Sequence, residues 1–149
     1  MMIAGEITSK TITWLSFTSL GLVYIVMIVG AYVSSVHQGL LCPDWPLCPN
    51  GFGFPKAEYL IEYLHRIIAI SAASVIYATA VYTLKKIRDG RKCAVISTIV
   101  VSFQILLGVL VVKSKLDPLI VATHLSLGSL LFAITLVIFL SCCVFPRNK

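Results

Sequence analysis

The sequence predicts an all-α protein, a polytopic membrane four-helix bundle that forms a single domain over residues 1–149. Of its 149 residues, 58% are hydrophobic and 12% are charged, whereas about a quarter of the residues of a soluble domain are charged. Four stretches contain no Asp, Glu, Lys or Arg, namely residues 11–43, 67–84, 93–112 and 118–146. Because a helix needs roughly 20 apolar residues to cross the hydrocarbon core of a bilayer, each stretch predicts one span.

The first predicted helix covers about 13–36, and we expect it to be retained in the protein. The apolar core of a cleavable signal peptide has roughly 7–15 residues and is followed by small residues at a cleavage site. Here the apolar stretch is longer, and it leads into a loop rich in glycine and proline. These features favour a membrane span over a removable signal.

The remaining predicted elements are a long loop and three further helices. The loop, about 37–58, is longer than the roughly 2–8 residues that usually join bundled helices, and loops of such length are usually functional or disordered. Its prolines, glycines and two cysteines favour an ordered cap. The other helices are predicted over about 59–84, 93–112 and 119–144. The short turn at 113–117 makes the last two helices antiparallel neighbours.

The basic residues of the chain are distributed unevenly, and their positions predict its orientation in the membrane. Five of the twelve basic residues lie in KKIRDGRK, the short segment over residues 85–92 that joins the second and third helices. Basic residues concentrate on the cytoplasmic side of a membrane. Both termini are therefore predicted to be cytoplasmic, and the 37–58 loop and the 113–117 turn face outward. The same placement argues against nucleic acid as a partner.

Two histidines are candidate ligands for a heme iron. His65 is about six residues into the second helix and His124 about five into the fourth, so at 1.5 Å per residue they reach a similar depth in the outer half of the membrane. An ionisable side chain inside a membrane indicates function by default, and imidazole is a good ligand for iron. The alternative is that each histidine only forms a hydrogen bond across the bundle. We favour a heme held through both axial positions.

Glu62, His65 and Arg66 share one face of the second helix, since they are three and four residues apart. A carboxylate one turn from a heme ligand can take up or relay protons. Arg66 can neutralise Glu62 or pair with a heme propionate. The spacing equally fits an interfacial ion pair that only anchors the helix.

Cys42 and Cys48 lie in the motif CPDWPLC of the outer loop. On the outer side of a membrane thiols tend to oxidise, which favours a disulfide between them. Its role is open, because such a bond could hold the cap together or take part in redox chemistry. A CxxC motif would indicate a thiol oxidoreductase more strongly. His37, in the same loop, is not expected to be a ligand.

These residues together resemble the heme A synthase family. The resemblance rests on CPDWPLC in the first outer loop, ExxHR (Glu62 to Arg66) at the head of the next helix, and a lone histidine, His124, early in the fourth. GAYVSSVHQG at residues 30–39 also resembles the end of that family's first helix. The usual member has eight helices in two similar halves, and this chain resembles one half, closest to the N-terminal one.

The resemblance implies an oxidoreductase that converts heme O to heme A by oxidising a ring methyl group to a formyl group. In that family's pattern His65 and His124 are the axial heme ligands, Glu62 is the catalytic carboxylate, and Cys42 and Cys48 form a disulfide. Heme b and heme O are the implied cofactor and substrate. The implied setting is the cell membrane, with a homo-oligomer supplying the second half and heme O synthase as a further partner. Ser34 stands near a position where the family often has arginine.

Two other functions remain open from the sequence. The first is a non-catalytic b-type cytochrome or heme-handling protein that uses the same two histidines. The second is a thiol–quinone oxidoreductase in which Cys42 and Cys48 react and the histidines only pack. Glu62 discriminates the enzyme from the first alternative, and the presence of heme discriminates it from the second.

Overall fold

The computed structural model describes residues 2–36, 39–40, 42, 48, 53, 55–87 and 91–141, and the side chains among them from Lys10 onward. These residues form four long helices: α1 (Met2–Ser35), α2 (Leu60–Lys86), α3 (Arg91–Lys113) and α4 (Pro118–Phe139). A short 3₁₀ turn, Ala57–Tyr59, leads into α2. All four helices are long and apolar enough to cross a membrane. The predicted all-α membrane bundle is confirmed, and the chain is a multi-pass membrane protein.

The helix ends differ from the predicted ones mainly at α1, which begins at Met2 rather than near residue 13. The uncharged stretch begins after Lys10, and the candidate span is Lys10–Ser35. Charge limits how far a helix enters lipid, but the helix itself can continue into the aqueous phase. The predicted end of the fourth helix, residue 144, lies outside the described residues, as does His37.

The helices form a ring in which α1 and α3 each pack against both α2 and α4. Helices α2 and α4 therefore occupy opposite corners of the bundle. Since α2 and α4 carry His65 and His124, this arrangement lets the two histidines face each other across the bundle axis.

The centre of the bundle is packed by branched apolar side chains together with the small side chain of Ala73. Ala73, Ile76, Val100 and Leu131 belong to one buried apolar cluster with residues of α1. Small residues allow membrane helices to approach closely. Ser19 of α1 and Thr79 of α2 add a buried hydrogen bond, with 2.9 Å between their hydroxyl oxygens. This core fixes the helices that carry the site.

The turn between α3 and α4 is closed by backbone and side-chain hydrogen bonds. The Leu116 amide donates to the Val111 carbonyl oxygen and the Lys115 amide to the Val112 carbonyl oxygen, a pattern that ends a helix with a left-handed residue. Lys115 and Leu116 have φ of 55° and 63°. Asp117 then caps α4, since its Oδ1 accepts from the Leu119 and Ile120 amides. The turn thereby sets how α4 returns beside α3.

Candidate heme site

His65 and His124 are both in the second turn of their helices. His65 is the sixth residue of α2 and His124 the seventh of α4, so their depths along the two helices differ by little more than one 1.5 Å step. The structure thus places the two residues that the sequence paired at nearly the same depth on helices at opposite corners of the bundle.

The imidazole of His65 lies against the backbone of α1 at Gly30. A Cβ atom at position 30 would be 2.7 Å from His65 Cε1, closer than side chains approach one another. The Nδ1 atom of the ring is buried and has no hydrogen-bond partner among the described residues. The missing side chain at Gly30 is therefore what allows His65 to occupy this position.

His124 is placed in a corresponding way by α3. A Cβ atom at Gly108 would be 3.5 Å from His124 Cε1, an ordinary contact distance. Gln104, one turn earlier on α3, donates from Nε2 to the His124 carbonyl oxygen at 3.0 Å. Within the described part of the chain, His124 Nδ1 is buried without a partner, like that of His65. Each helical hairpin thus brings a glycine of its first helix against the histidine of its second.

These observations fit a heme held by the two imidazoles. A buried nitrogen without a partner is costly and usually indicates a ligand or water. Imidazole nitrogens are good iron ligands, and each of the two rings lies against a glycine of the neighbouring helix. Among the described residues, no group of three or more His, Cys, Asp or Glu side chains is arranged to hold a metal ion. A heme with two axial histidines needs only the pair.

Glu62, Arg66 and Cys42 form a hydrogen-bonded network beside the histidines. Glu62 is 3% exposed, and its Oε1 accepts from Arg66 Nη2 at 2.6 Å. Its Oε2 accepts from the Cys42 amide at 3.0 Å. Arg66 Nη2 also donates to the Cys42 carbonyl oxygen at 2.7 Å. We call these three residues the Glu62–Arg66–Cys42 network; it joins the N-terminal end of α2 to Cys42 of the preceding loop.

Cys42 and Cys48 are joined in the structure by a disulfide, and both residues are buried. The bond lies next to the network, because Cys42 belongs to both. Among the described residues, Cys93 near the start of α3 is a free cysteine. The two oxidised cysteines and the free one are thus at opposite ends of the bundle.

Sequence reasoning identified the histidines, Glu62, Arg66 and the cysteines, but it missed three residues that place them. Gly30 and Gly108 were not singled out, although a glycine in an apolar span often marks a close approach. Gln104 is a polar residue inside an apolar span, and the sequence alone predicts only that its amide packs against a neighbouring helix. Its position one turn from Gly108 could have indicated that both face the same neighbouring helix.

Comparison with known proteins finds relatives of this chain. The model of the COX15-CtaA family, described as cytochrome oxidase assembly proteins, matches residues 51–144. A heme A synthase of Bacillus licheniformis is 35% identical over 119 residues, covering 76% of this chain and 39% of that protein. A heme A synthase of Shouchella clausii is 37% identical over 125 residues, covering 78% of this chain and 40% of that protein.

A third relative has a different name. A protoheme IX farnesyltransferase of Haloarcula marismortui is 30% identical over 127 residues, which are 83% of this chain and 27% of that protein. The chain therefore spans less than half the length of each of these relatives. The family match includes Glu62, His65, Arg66 and His124 and covers more than half of the chain. This protein thus belongs to the COX15-CtaA family of cytochrome oxidase assembly proteins.

Proposed function

We propose that this protein binds heme between His65 and His124 and takes part in converting heme O to heme A. The observation that carries the proposal is the pair of buried imidazoles at matched depth, each with an unpartnered Nδ1. The family match and the relatives named heme A synthase support the reaction. A bound heme O would supply the iron that His65 and His124 would hold and the ring methyl group that would be oxidised.

Glu62 is proposed as the proton-accepting residue. Oxidation of a methyl group to a formyl group with water as oxygen donor releases four protons and four electrons. The electrons require a separate acceptor, for which a lipid-soluble quinone is a suitable chemical class. Glu62 lies one turn from His65 on the same face of α2, and its carboxylate is buried. Each of its two oxygens accepts one of these hydrogen bonds, which leaves lone pairs on the carboxylate that can accept a proton.

Arg66 and the disulfide are proposed to position Glu62. The guanidinium contacts the carboxylate and the Cys42 carbonyl oxygen at once. The Cys42–Cys48 bond restricts the loop whose amide donates to Glu62. A disulfide is expected on the outer side of a membrane, where thiols oxidise. We propose a structural role for the disulfide. Both of its cysteines are buried, and Cys42 contacts Glu62 and Arg66 through its backbone rather than through its sulfur.

We further propose that the site lies in the outer half of the cell membrane. The opposite end of the bundle carries Lys85 and Lys86 at the end of α2 and Arg91 and Lys92 at the start of α3. Basic residues favour the cytoplasmic side, so the histidines are on the far side from them. This topology leaves the network near the outer aqueous phase, where released protons can leave.

Two partners remain predictions. A homo-oligomer would supply a second histidine pair, and cross-linking in the membrane followed by mass analysis tests it. An enzyme that farnesylates protoheme, which makes heme O, is the second predicted partner. The farnesyltransferase relative supports that link, because a segment similar to this chain occurs within that protein. Copurification of the two proteins from one membrane tests it.

The decisive experiment expresses the chain in a host that makes heme O and analyses extracted hemes by chromatography with mass detection. The controls are Glu62→Ala and an empty vector. We expect heme A, or its hydroxymethyl precursor, only with the intact chain. Glu62→Ala is expected to retain bound heme and form no product.

Other results would favour the alternatives. Unchanged heme O or heme b that copurifies equally with wild type and Glu62→Ala would indicate a heme carrier or b-type cytochrome. Absence of heme from the purified wild-type protein would contradict the histidine site. In that case loss of activity in Cys42→Ser would indicate a thiol–quinone oxidoreductase.

A further inference from the structure

The side-chain amide of Gln104 has one atom that forms a hydrogen bond and one that lacks a partner among the described residues. Its Nε2 donates to the His124 carbonyl oxygen at 3.0 Å. The contact is possible because α4 has Gly128 at this level, where a Cβ atom would be 3.1 Å from Nε2. Gln104 Oε1 is buried and, among the described residues, has no hydrogen-bond partner.

The chemistry of the amide determines which of its two polar atoms lacks a hydrogen-bond partner. If the amide were turned over, Oε1 would face the His124 carbonyl oxygen, and two acceptors would repel each other. The donor nitrogen must therefore face His124, and the oxygen must point elsewhere. A buried amide oxygen without a hydrogen-bond partner is unfavourable. Gln104 Oε1 therefore requires an O–H or N–H group as its hydrogen-bond donor.

The depth of Gln104 indicates what kind of donor this is. Gln104 precedes Gly108 by four residues on the outward-directed α3, so it lies about 6 Å deeper in the bundle than the glycine that contacts the His124 ring. Charged groups are costly in the membrane interior, which directs the propionates of a heme toward the outer surface. A neutral substituent of the ligand can extend to the level of Gln104.

Heme O has one neutral substituent with a hydroxyl group, the hydroxyalkyl side chain that carries the farnesyl group. Heme B has a vinyl group there and no hydroxyl. We propose that Gln104 Oε1 accepts a hydrogen bond from this hydroxyl, so that Gln104 helps the site select heme O over heme B. The inference rests on the proposed function, because it requires a heme between His65 and His124.

The test titrates the purified full chain in lipid nanodiscs with ferric heme O and, separately, with ferric heme B. The variant is Gln104→Met, which has a similar shape and no amide, and the control on the same helix is Thr98→Val, whose hydroxyl bonds to the Val95 carbonyl oxygen of its own helix. We expect Gln104→Met to lower the preference for heme O over heme B about fivefold, the effect of one neutral hydrogen bond. Thr98→Val should keep the wild-type preference.

Two further measurements separate binding of the hydroxyl from an effect on His124. The low-spin absorption and paramagnetic resonance spectra of a bis-imidazole heme should persist in Gln104→Met. Gln104→Glu, whose protonated carboxyl group offers one donor and one acceptor, should restore most of the preference for heme O.

The remaining outcomes overturn the inference in distinguishable ways. An equal loss of affinity for both hemes would assign Gln104 to positioning α4 or to binding an ordered water, and the hydroxyl site would be wrong. An unchanged preference would also contradict it. If the wild-type chain bound neither heme, the proposed function itself would fail.

Discussion

Glu62 and Arg66 form a buried ion pair one helical turn apart on α2, with 2.6 Å between Arg66 Nη2 and Glu62 Oε1. Both side chains also bind the backbone of Cys42, Glu62 at its amide and Arg66 at its carbonyl oxygen. When one member of a buried ion pair is removed, the remaining charge is buried without a partner and the stability of the folded protein falls strongly. The pair and the loop are therefore expected to depend on each other.

Replacement of Arg66 should destabilise the protein more than replacement of the whole pair. In Arg66→Gln the Glu62 carboxylate stays 3% exposed without its counter-charge, and we expect a loss of about 3 kcal/mol in the free energy of unfolding. Thermal unfolding in detergent, followed by circular dichroism, measures the change.

The double variant Glu62→Gln, Arg66→Gln is the matched control for this prediction. It removes both charges, so most of the lost stability should return, and the double-mutant cycle should show strong coupling. Additive effects of the two substitutions would show that the ion pair does not hold the network together.

The Cys42–Cys48 bond should be present in the purified protein and should stabilise it. Alkylation without a reductant is expected to modify Cys93 but neither Cys42 nor Cys48, because the latter two are joined. Closing this short loop is worth about 2 kcal/mol by the chain-entropy estimate. Cys42→Ser and Cys48→Ser should therefore lower the unfolding temperature by the same amount, and the double variant should lower it no further.

Cys93→Ser is the control for the cysteine variants and should leave the unfolding temperature nearly unchanged. If a reductant lowered the unfolding temperature of Cys42→Ser as much as that of the wild type, the stabilisation would not come from this bond.

Gly30→Ala should weaken heme binding by displacing His65. The added Cβ atom would be 2.7 Å from His65 Cε1, so the ring must move away from α1. Overpacking of this kind costs about 1–3 kcal/mol, and about 1.4 kcal/mol corresponds to a tenfold change in affinity. Titration of the purified chain with ferric heme measures the change, and the low-spin fraction reports ligation by His65.

Two other glycines provide the controls for Gly30→Ala. A Cβ atom at Gly108 would be at an ordinary 3.5 Å from His124 Cε1, and one at Gly21 would have no neighbour within 4 Å. Both alanine variants should bind heme nearly as the wild type does. Equal binding by all three variants would mean that His65 does not need the space at Gly30.

The sequence predicted the parts of this structure that depend on local spacing. Uncharged stretches identified the four helices, because lipid excludes charge. The helical period placed Glu62, His65 and Arg66 on one face. Equal distances from the outer helix ends brought His65 and His124 to the same depth. Each of these inferences considers one helix at a time and uses the bilayer only as the reference for depth.

The contacts between elements could not be predicted in the same way. The Cys42 amide meets Glu62 across twenty residues of sequence, and nothing in CPDWPLC specifies that partner. Gln104 reaches the His124 carbonyl oxygen because Gly128 lies beside it, which depends on the rotation of α3 and α4 about their axes. Such rotations are set by the packing of the whole bundle.

The turn between α3 and α4 should respond in opposite directions to two neighbouring substitutions. Lys115 has a φ of 55°, a conformation that costs a residue with a side chain about 1 kcal/mol and costs glycine little. Lys115→Gly should therefore raise the unfolding temperature. Asp117→Ala should lower it, since the loss of the cap on the Leu119 and Ile120 amides costs about 1 kcal/mol.

Measuring heme binding by variants of this turn tests whether the turn positions His124. Asp117→Asn retains a capping oxygen and should retain both stability and heme affinity. Asp117→Ala frees the first turn of α4, which leads directly to His124, so its low-spin heme fraction should fall along with its stability. A loss of stability in Asp117→Ala with an unchanged low-spin fraction would show that Gln104 and Gly108 hold His124 in place without the cap.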